Sequence, residues 1–556
     1  MKKKEFLGRL AVRGRARRLR VGGRVEGLWV RGGQSGCGGC EVLDEALGSL
    51  NTATANAPAP AATVVAAAAT AGAVVVIAAT VVDVVATAVV VAATAVVAAT
   101  AVVAATAVVV AAPAPARVVA DVAATTTIIR KVYVYWMGAE PFLYIADPEF
   151  LKQMSGEVLA KNWGKPNVFK SDRTPMFGEY GLNMIEGNTW ARHRHIITPA
   201  FSSTNLKGMA KSMVESTTKM IGQWDSLLAN NSSKFELDIE REVTMLAGEI
   251  IAKTNFGINS EMGNTLFEKL RQMQISLFKH TRYVGVPYGQ LLTIKNTLEA
   301  RRLGQDIDDI LLSIINARRK VIGVEPQHDL LGLLLEGEEN VDGQSTTTKL
   351  RTRELIDECK TFFFGGHETV ALAMTWTLML LSIYPKWQEE LREEIKQVIG
   401  EKDQIDFTML AGLKKMGWVL NEVIRLYPSS PNAHRQARSD IHVGNVVIPN
   451  GTNIWIDIVS MHHDKALWGD NANEFRPERF DGNLYGGCAH KMGYMPFGFG
   501  GRMCIGKNLA IMEYKIVMSL ILRKFSFSIA PSYHHSPMYF FSFRPSSGVP
   551  LIVQPL

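Results

Sequence analysis

The sequence predicts a mainly α-helical domain with a small β-sheet, and three observations predict it. From Pro148 to about 425, apolar residues recur at the three- and four-residue spacing of amphipathic helices. Two short alternating runs precede that region, and strand-like or irregular texture interrupts it only between 441 and 480.

The segments KVYVYWMG (131–138) and PFLYIAD (141–147) alternate as two strands, with Gly138 and Pro141 marking the turn. Pro148 opens a helical run. Helices are then predicted over 205–229, 239–255, 292–318 and 383–399, with a last one over 507–523. Residues 128–556 share this texture and form one domain.

Upstream the composition changes. The 556-residue chain carries a formal charge of +7. Residues 1–31 hold eleven basic residues and two acids, so this arm carries +9 and the remaining chain −2. The basic balance therefore gives the main body no nucleic-acid signature. Residues 1–60 form this basic, Gly-rich arm. Residues 61–127 are rich in Ala, Val and Thr, with AVVAAT at 95–100 repeated at 101–106. That segment reads as low complexity or as a membrane anchor, because residues 84–116 are uncharged and exceed the ~20 needed to span a bilayer. Five cysteines are too few for a disulfide scaffold.

The strongest chemical signal is Phe497-Gly-Phe-Gly500-Gly501-Arg502-Met-Cys504-Ile-Gly506. Glycines before the cysteine permit close backbone approach, and the helix beginning after Cys504 points its positive end at the sulfur, both favouring thiolate. Such a thiolate can be a nucleophile, a metal ligand or a redox centre. Glu422 and Arg425 share a helix face at i,i+3, and EFRPERF (474–480) follows. Trp190 and Arg194 are spaced i,i+4. Phe362-Phe-Phe-Gly365-Gly366-His367-Glu368-Thr369 puts two glycines inside a helical run, where each costs about 1 kcal/mol relative to Ala. Cys37 with Cys40, Cys488 with His490, and His462-His463 with Asp464 have ligand-like spacing but lack second pairs.

Phe497, Gly500, Arg502, Cys504 and Gly506 resemble the haem-binding signature FxxGxRxCxG of the cytochrome P-450 monooxygenases. The resemblance covers about 128–556. It implies a haem b between a long central helix and the helix after Cys504, with Cys504 as axial ligand. It also implies a buried structural triad of Glu422, Arg425 and Arg479. Trp190, Arg194, Arg435 and Arg502 would serve the propionates. Gly365 and Gly366 would open the central helix locally into a groove for O2, beside Thr369 as hydrogen-bonding hydroxyl and Glu368 as proton conductor; His367 would be structural or on the surface.

The family reaction inserts one oxygen atom of O2 into a hydrophobic small molecule by hydroxylation or epoxidation. Electrons come from NADPH through the flavins of a partner, NADPH–cytochrome P-450 reductase. The wording AHKMGYMPFGFGG and GGHET is most similar to the plant branch that oxidises gibberellins, cytokinins and other hydrophobic molecules. The resemblance also implies the endoplasmic reticulum membrane, with the catalytic domain facing the cytosol. Arg192, His193, Lys491 and Lys507 would form a basic docking patch, and loops 165–188 and 429–434, with the Gly365 region, would choose the substrate. A haem-thiolate isomerase or dehydratase working without O2 is a second expectation, opposed by the intact Glu368-Thr369 pair. A non-catalytic haem-binding membrane protein is a third.

Overall fold

The computed structural model describes residues 131–157, 162–230, 234–258, 260–278, 284–286, 294–321, 329–336, 349–400 and 405–556. The basic arm, the Ala/Val/Thr tract and Cys37 with Cys40 lie outside the described residues.

The two alternating runs form a hairpin, β1 (Val132–Met137) and β2 (Glu140–Ile145), paired from Val132↔Ile145 to Met137↔Glu140. Gly138 turns the chain at φ +61°, and a Cβ there would lie 2.1 Å from the carbonyl oxygen of Val284. Pro141 lies in β2 opposite Trp136 rather than in the turn. It is tolerated because pairing with the next strand begins only at Phe142. The sheet has the order β1-β2-β8-β5-β3, where β3 is Trp163–Gly164, β5 Asn432–Ala437 and β8 Asn453–Asp457. Only β2 and β8 run parallel in it.

The helices are α1 (Pro148–Glu157), α2 (Asn167–Phe177), α3 (Gly187–Ile197), α4 (Ser203–Asn230), α5 (Ile239–Phe256), α6 (Ser260–Phe278) and α7 (Ile294–Arg319). They continue as α8 (Leu330–Glu336), α9 (Thr352–Ile383), α10 (Pro385–Val398), α11 (Lys414–Leu426), α12 (Ile458–His463), α13 (Lys465–Trp468) and α14 (Lys507–Leu522). All five helices expected from periodicity are present within a few residues. The short α12 and α13 were not expected within 441–480. Asp457 and Asp464 nucleate them by accepting from the Ser460 and Ala466 amides at 2.9 Å each, a local effect with too few residues to show a period.

The 32-residue α9 is the axis of the core, buried on nearly every face. Its run VALAMTWTLMLL is apolar all round, as burial on all sides requires. The Arg351 amide donates to Glu354 at its start (2.9 Å), and Pro385 ends it by opening α10. Trp376 stacks on Tyr427 at 4.4 Å and donates to the Phe543 carbonyl at 3.0 Å.

The remaining strands are β4 (Phe235–Asp238), β6 (Ile441–Val443), β7 (Val446–Ile448), β9 (Phe525–Ile529), β10 (Pro537–Phe540), β11 (Ser542–Pro545) and β12 (Pro550–Pro555). They form the hairpins β6-β7 and β10-β11 and the three-stranded sheet β4-β12-β9. Among the described residues no helix is long and apolar enough to cross a membrane.

Candidate active site

The cysteine loop is shaped by two glycines. Gly498 (φ +75°) and Gly500 (φ +59°) occupy left-handed backbone, and space around Gly500 is open, so its requirement is conformational rather than steric. The Cys504 amide donates to the Phe497 carbonyl at 2.9 Å, and α14 starts just beyond, with Gly506 as its cap. Cys504 is exposed as a residue, although its thiol is densely enclosed.

The expected preference for thiolate meets an opposing effect. Burial pushes the Cys504 thiol up, outweighing the Gly506 amide, Arg194 and Lys507, which pull it down. A metal cation at the sulfur reverses that balance, since a coordinating thiol is deprotonated outright.

Cations gather beside this loop. The Arg502 guanidinium lies 4.1 Å over the Trp190 ring and donates to the carbonyls of Ile185 (3.1 Å) and Trp163 (2.9 Å). Arg194, one turn from Trp190, lies within electrostatic reach of Cys504. Arg435 projects from β5 and donates to the His434 carbonyl at 2.9 Å.

Lys165, which sequence reasoning missed because it belongs to no motif, completes the group. Burial, then Arg435, Arg173 and Arg502, hold its ammonium well below the usual range. Burial lowers Arg435 to about 10, and burial with Arg435 and Arg194 lowers Arg502 to about 9. Glu186, the acid acting on Arg502, already pairs with Lys170 (3.2 Å) and Arg438 (2.8 Å). Among the described residues no carboxylate pairs with Lys165, Arg194 or Arg435. Among the described residues the buried His434 Nε2 has no hydrogen-bond partner.

Mutually repelling, partly buried cations beside the buried His434 nitrogen call for an anion. A haem, whose iron takes a thiolate and whose propionates take cations, fits both halves of this donor set.

On α9, Gly365 is exposed within a largely buried helix, and among the described residues nothing outside the helix's own backbone lies within 4 Å of where a Cβ would stand. Thr369 Oγ1 donates to the Gly365 carbonyl at 2.8 Å. One expectation changes here. The helix runs unbroken from Thr352 to Ile383, without a local opening. Gly366 also packs tightly on α5, since its Cβ would lie 2.6 Å from Ile251 Cδ1. Phe201 bridges the two halves: its ring is 5.7 Å from Phe362 on α9 and 4.0 Å from the Cβ position of Gly506.

Glu368 is buried and occupied. Its Oε1 accepts from Ser542 Oγ (2.6 Å), Gln274 Nε2 (3.2 Å) and Arg544 Nη1 (3.4 Å). Burial alone would raise its pKa, but Arg544, His367, Ser542 and Gln274 bring it below the ordinary value. His367 is buried against Phe267, 4.4 Å between centroids, so it is structural rather than on the surface.

The triad assembles fully. Glu422 accepts from Arg425 Nε (2.7 Å), Arg425 Nη2 (2.8 Å) and Arg479 Nε (3.3 Å). His462 extends it toward the cysteine loop, its Nδ1 beside the Arg425 carbonyl (3.2 Å) and its Nε2 accepting the Met495 amide (3.1 Å). Both His462 and His463 have saturated rings, and among the described residues no cluster of three or more His, Cys, Asp and Glu could hold a metal ion.

The expected docking patch shrinks. His193 is buried with Nδ1 2.6 Å from Glu358, and Arg192 pairs with Glu354, which leaves Lys491 and Lys507. Those two lie over the rings of Tyr485 and Phe497.

Fold and site together define a haem-thiolate protein. A family model described as Cytochrome P450 matches residues 118–549, and the chain belongs to that family. It is 36% identical over 433 residues to a cytokinin hydroxylase of Arabidopsis thaliana, covering 77% of this chain and 81% of the relative. It is 35% identical over 426 residues to an 11-oxo-beta-amyrin 30-oxidase of Glycyrrhiza uralensis, covering 76% and 80%. Cytochrome P450 72A13 of Arabidopsis thaliana is 35% identical over 428 residues, covering 77% and 82%. The protein is an oxidoreductase of the haem monooxygenase class.

Proposed function

We propose that residues 128–556 form the catalytic domain of an enzyme that inserts one atom of O2 into a hydrophobic small molecule, terpenoid or hormone-like, with electrons from an NADPH–cytochrome P450 reductase. Relatives named for a cytokinin and for 11-oxo-beta-amyrin support that substrate class. The carrying observation is the exposed residue Cys504 beside Lys165, Arg194 and Arg435, which have no carboxylate partner among the described residues.

When bound, the haem supplies the activation of dioxygen. Cys504 holds its iron; Arg194, Arg435, Arg502 and Lys165 hold its propionates, and Trp190 fixes Arg502 in place. Phe497, Gly500 and Gly506 shape the loop that carries the sulfur. Gly365 keeps one wall open, Thr369 presents a hydroxyl there, and Glu368 supplies protons to it. The intact Glu368-Thr369 pair favours oxygenation over isomerisation. Lys491 and Lys507 attract the acidic flavin domain of the reductase, and residues 61–127 anchor the chain in the endoplasmic reticulum membrane.

The test is the difference spectrum of the reduced, CO-bound protein. The red-shifted Soret band of a thiolate-ligated haem is expected, and its absence refutes the assignment. NADPH-dependent turnover with reductase then separates monooxygenase from isomerase.

A further inference from the structure

Three side chains converge on one acid, two from the β10-β11 hairpin and one from α6. Ser542 Oγ donates to Glu368 at 2.6 Å, Arg544 Nη1 reaches the same oxygen at 3.4 Å, and Gln274 Nε2 divides itself between Glu368 (3.2 Å) and the Phe540 carbonyl (3.4 Å). The same hairpin touches the next residue of α9 through one intermediary. The Phe543 amide donates to the Ser429 carbonyl at 3.1 Å, and Ser429 Oγ donates to the Thr369 carbonyl at 2.8 Å.

At the tip stands Phe541, with φ +67°, the single non-glycine residue of positive φ among the described residues. L side chains rarely adopt that conformation, so the surrounding packing imposes it. Its ring lies 5.2 Å from Phe364, the residue before Gly365, and 5.8 Å from Phe177 in the 165–188 segment.

We propose that this hairpin is a positioning device: a substrate seated beside Phe541 shifts the tip and releases Glu368 from Ser542 and Arg544, so that protons are supplied only when substrate is present. The proposal rests on the reading above, in which Glu368 is the proton source.

Release does not strand Arg544, because it also holds Glu240 of α5, an ion pair that persists when Glu368 turns. The other polar groups lining the small cavity beside Glu368 are Thr244, Arg271, Gln274 and His367, none of them an acid that could replace it. Tip displacement must move Ser542, the adjacent residue, and with it the shortest of the three contacts.

The test uses haem-loaded enzyme with reductase and NADPH but no substrate, where NADPH, O2 and a proton give NADP+ and hydrogen peroxide. Ser542→Ala is expected to raise peroxide release about ten-fold, the factor one charge-assisted hydrogen bond is worth. Adding Glu368→Gln is expected to abolish the rise. Phe541→Gly, which accepts positive φ without strain, is expected to leak similarly while retaining the CO spectrum.

A second readout needs no turnover. Clotrimazole, filling the space over the haem, should slow hydrogen exchange of residues 537–545 and 366–370 together in the wild type, and only of 537–545 in Ser542→Ala. Unchanged peroxide release with identical azole protection in that variant overturns the coupling. A wild type without the thiolate CO band overturns the functional reading instead, and with it the coupling.

Discussion

Replacing Glu422 by alanine removes the acceptor for four donors: two nitrogens of Arg425, the Arg479 Nε, and the Arg476 amide at 2.9 Å. Arg425 is fully buried, and after the substitution its guanidinium keeps the carbonyls of His462 (2.8 Å), Ala472 (2.6 Å) and Glu474 (3.2 Å) and the face of the Trp468 ring (4.8 Å). Those dipoles satisfy its N–H groups but do not neutralise its charge. Breaking one partner of a buried pair costs about 3–5 kcal/mol, against a total stability of about 5–15 kcal/mol for a folded domain. The expected loss is thus roughly two to four powers of ten in the folding equilibrium.

The damage should travel. Arg425 and the His462 ring, on which the Met495 amide depends, share one set of contacts, so the cysteine loop loses its footing as well. Urea unfolding followed by tryptophan fluorescence reads the stability, and the Soret-to-protein absorbance ratio reads haem content. Glu422→Gln, which keeps the shape and part of the bonding, should fall between wild type and alanine. An alanine variant within about 1 kcal/mol of wild type and fully loaded with haem refutes the reasoning.

Lys165→Met removes a cation that burial and three arginines already oppose, so the haem-free protein should gain stability while the holoprotein loses haem faster to apomyoglobin. Loss of stability in the haem-free state would contradict the repulsion. His462, lowered to about 3 by burial first and then by His463 and Arg425, folds as the neutral ring. Its folded value lies below the ordinary 6.5, so its contribution is full above pH 6.5 and is lost as pH falls toward about 3. His462→Gln should flatten that limb of the stability–pH curve. Charge reversal at Lys491 and Lys507 should slow reduction by the reductase without altering the CO spectrum, and an unchanged rate removes the docking role.

The five periodic helices were legible because a buried stripe needs only the side chains of its own segment. The cysteine loop was legible for a related reason: left-handed backbone at 498 and 500 can be met most readily by glycine, so the requirement is written at those positions. The tight helix contact at Gly366 was not legible, because only the neighbour, Ile251, reveals it. Arg192 and His193 looked like surface charge until α3 was packed against the Glu354 and Glu358 turns of α9.

The sequence by itself determined the family, the ligand cysteine proposed for the haem, and the mainly helical architecture, since each rests on residues adjacent in the chain. Tertiary structure alone decided what surrounds them. It brought Lys165 beside Arg435, His462 beside Met495, and Ser542 onto Glu368, pairs separated by as many as 270 positions. Burial, charge and hydrogen bonding act through space, and no local pattern records which distant segment will fill that space.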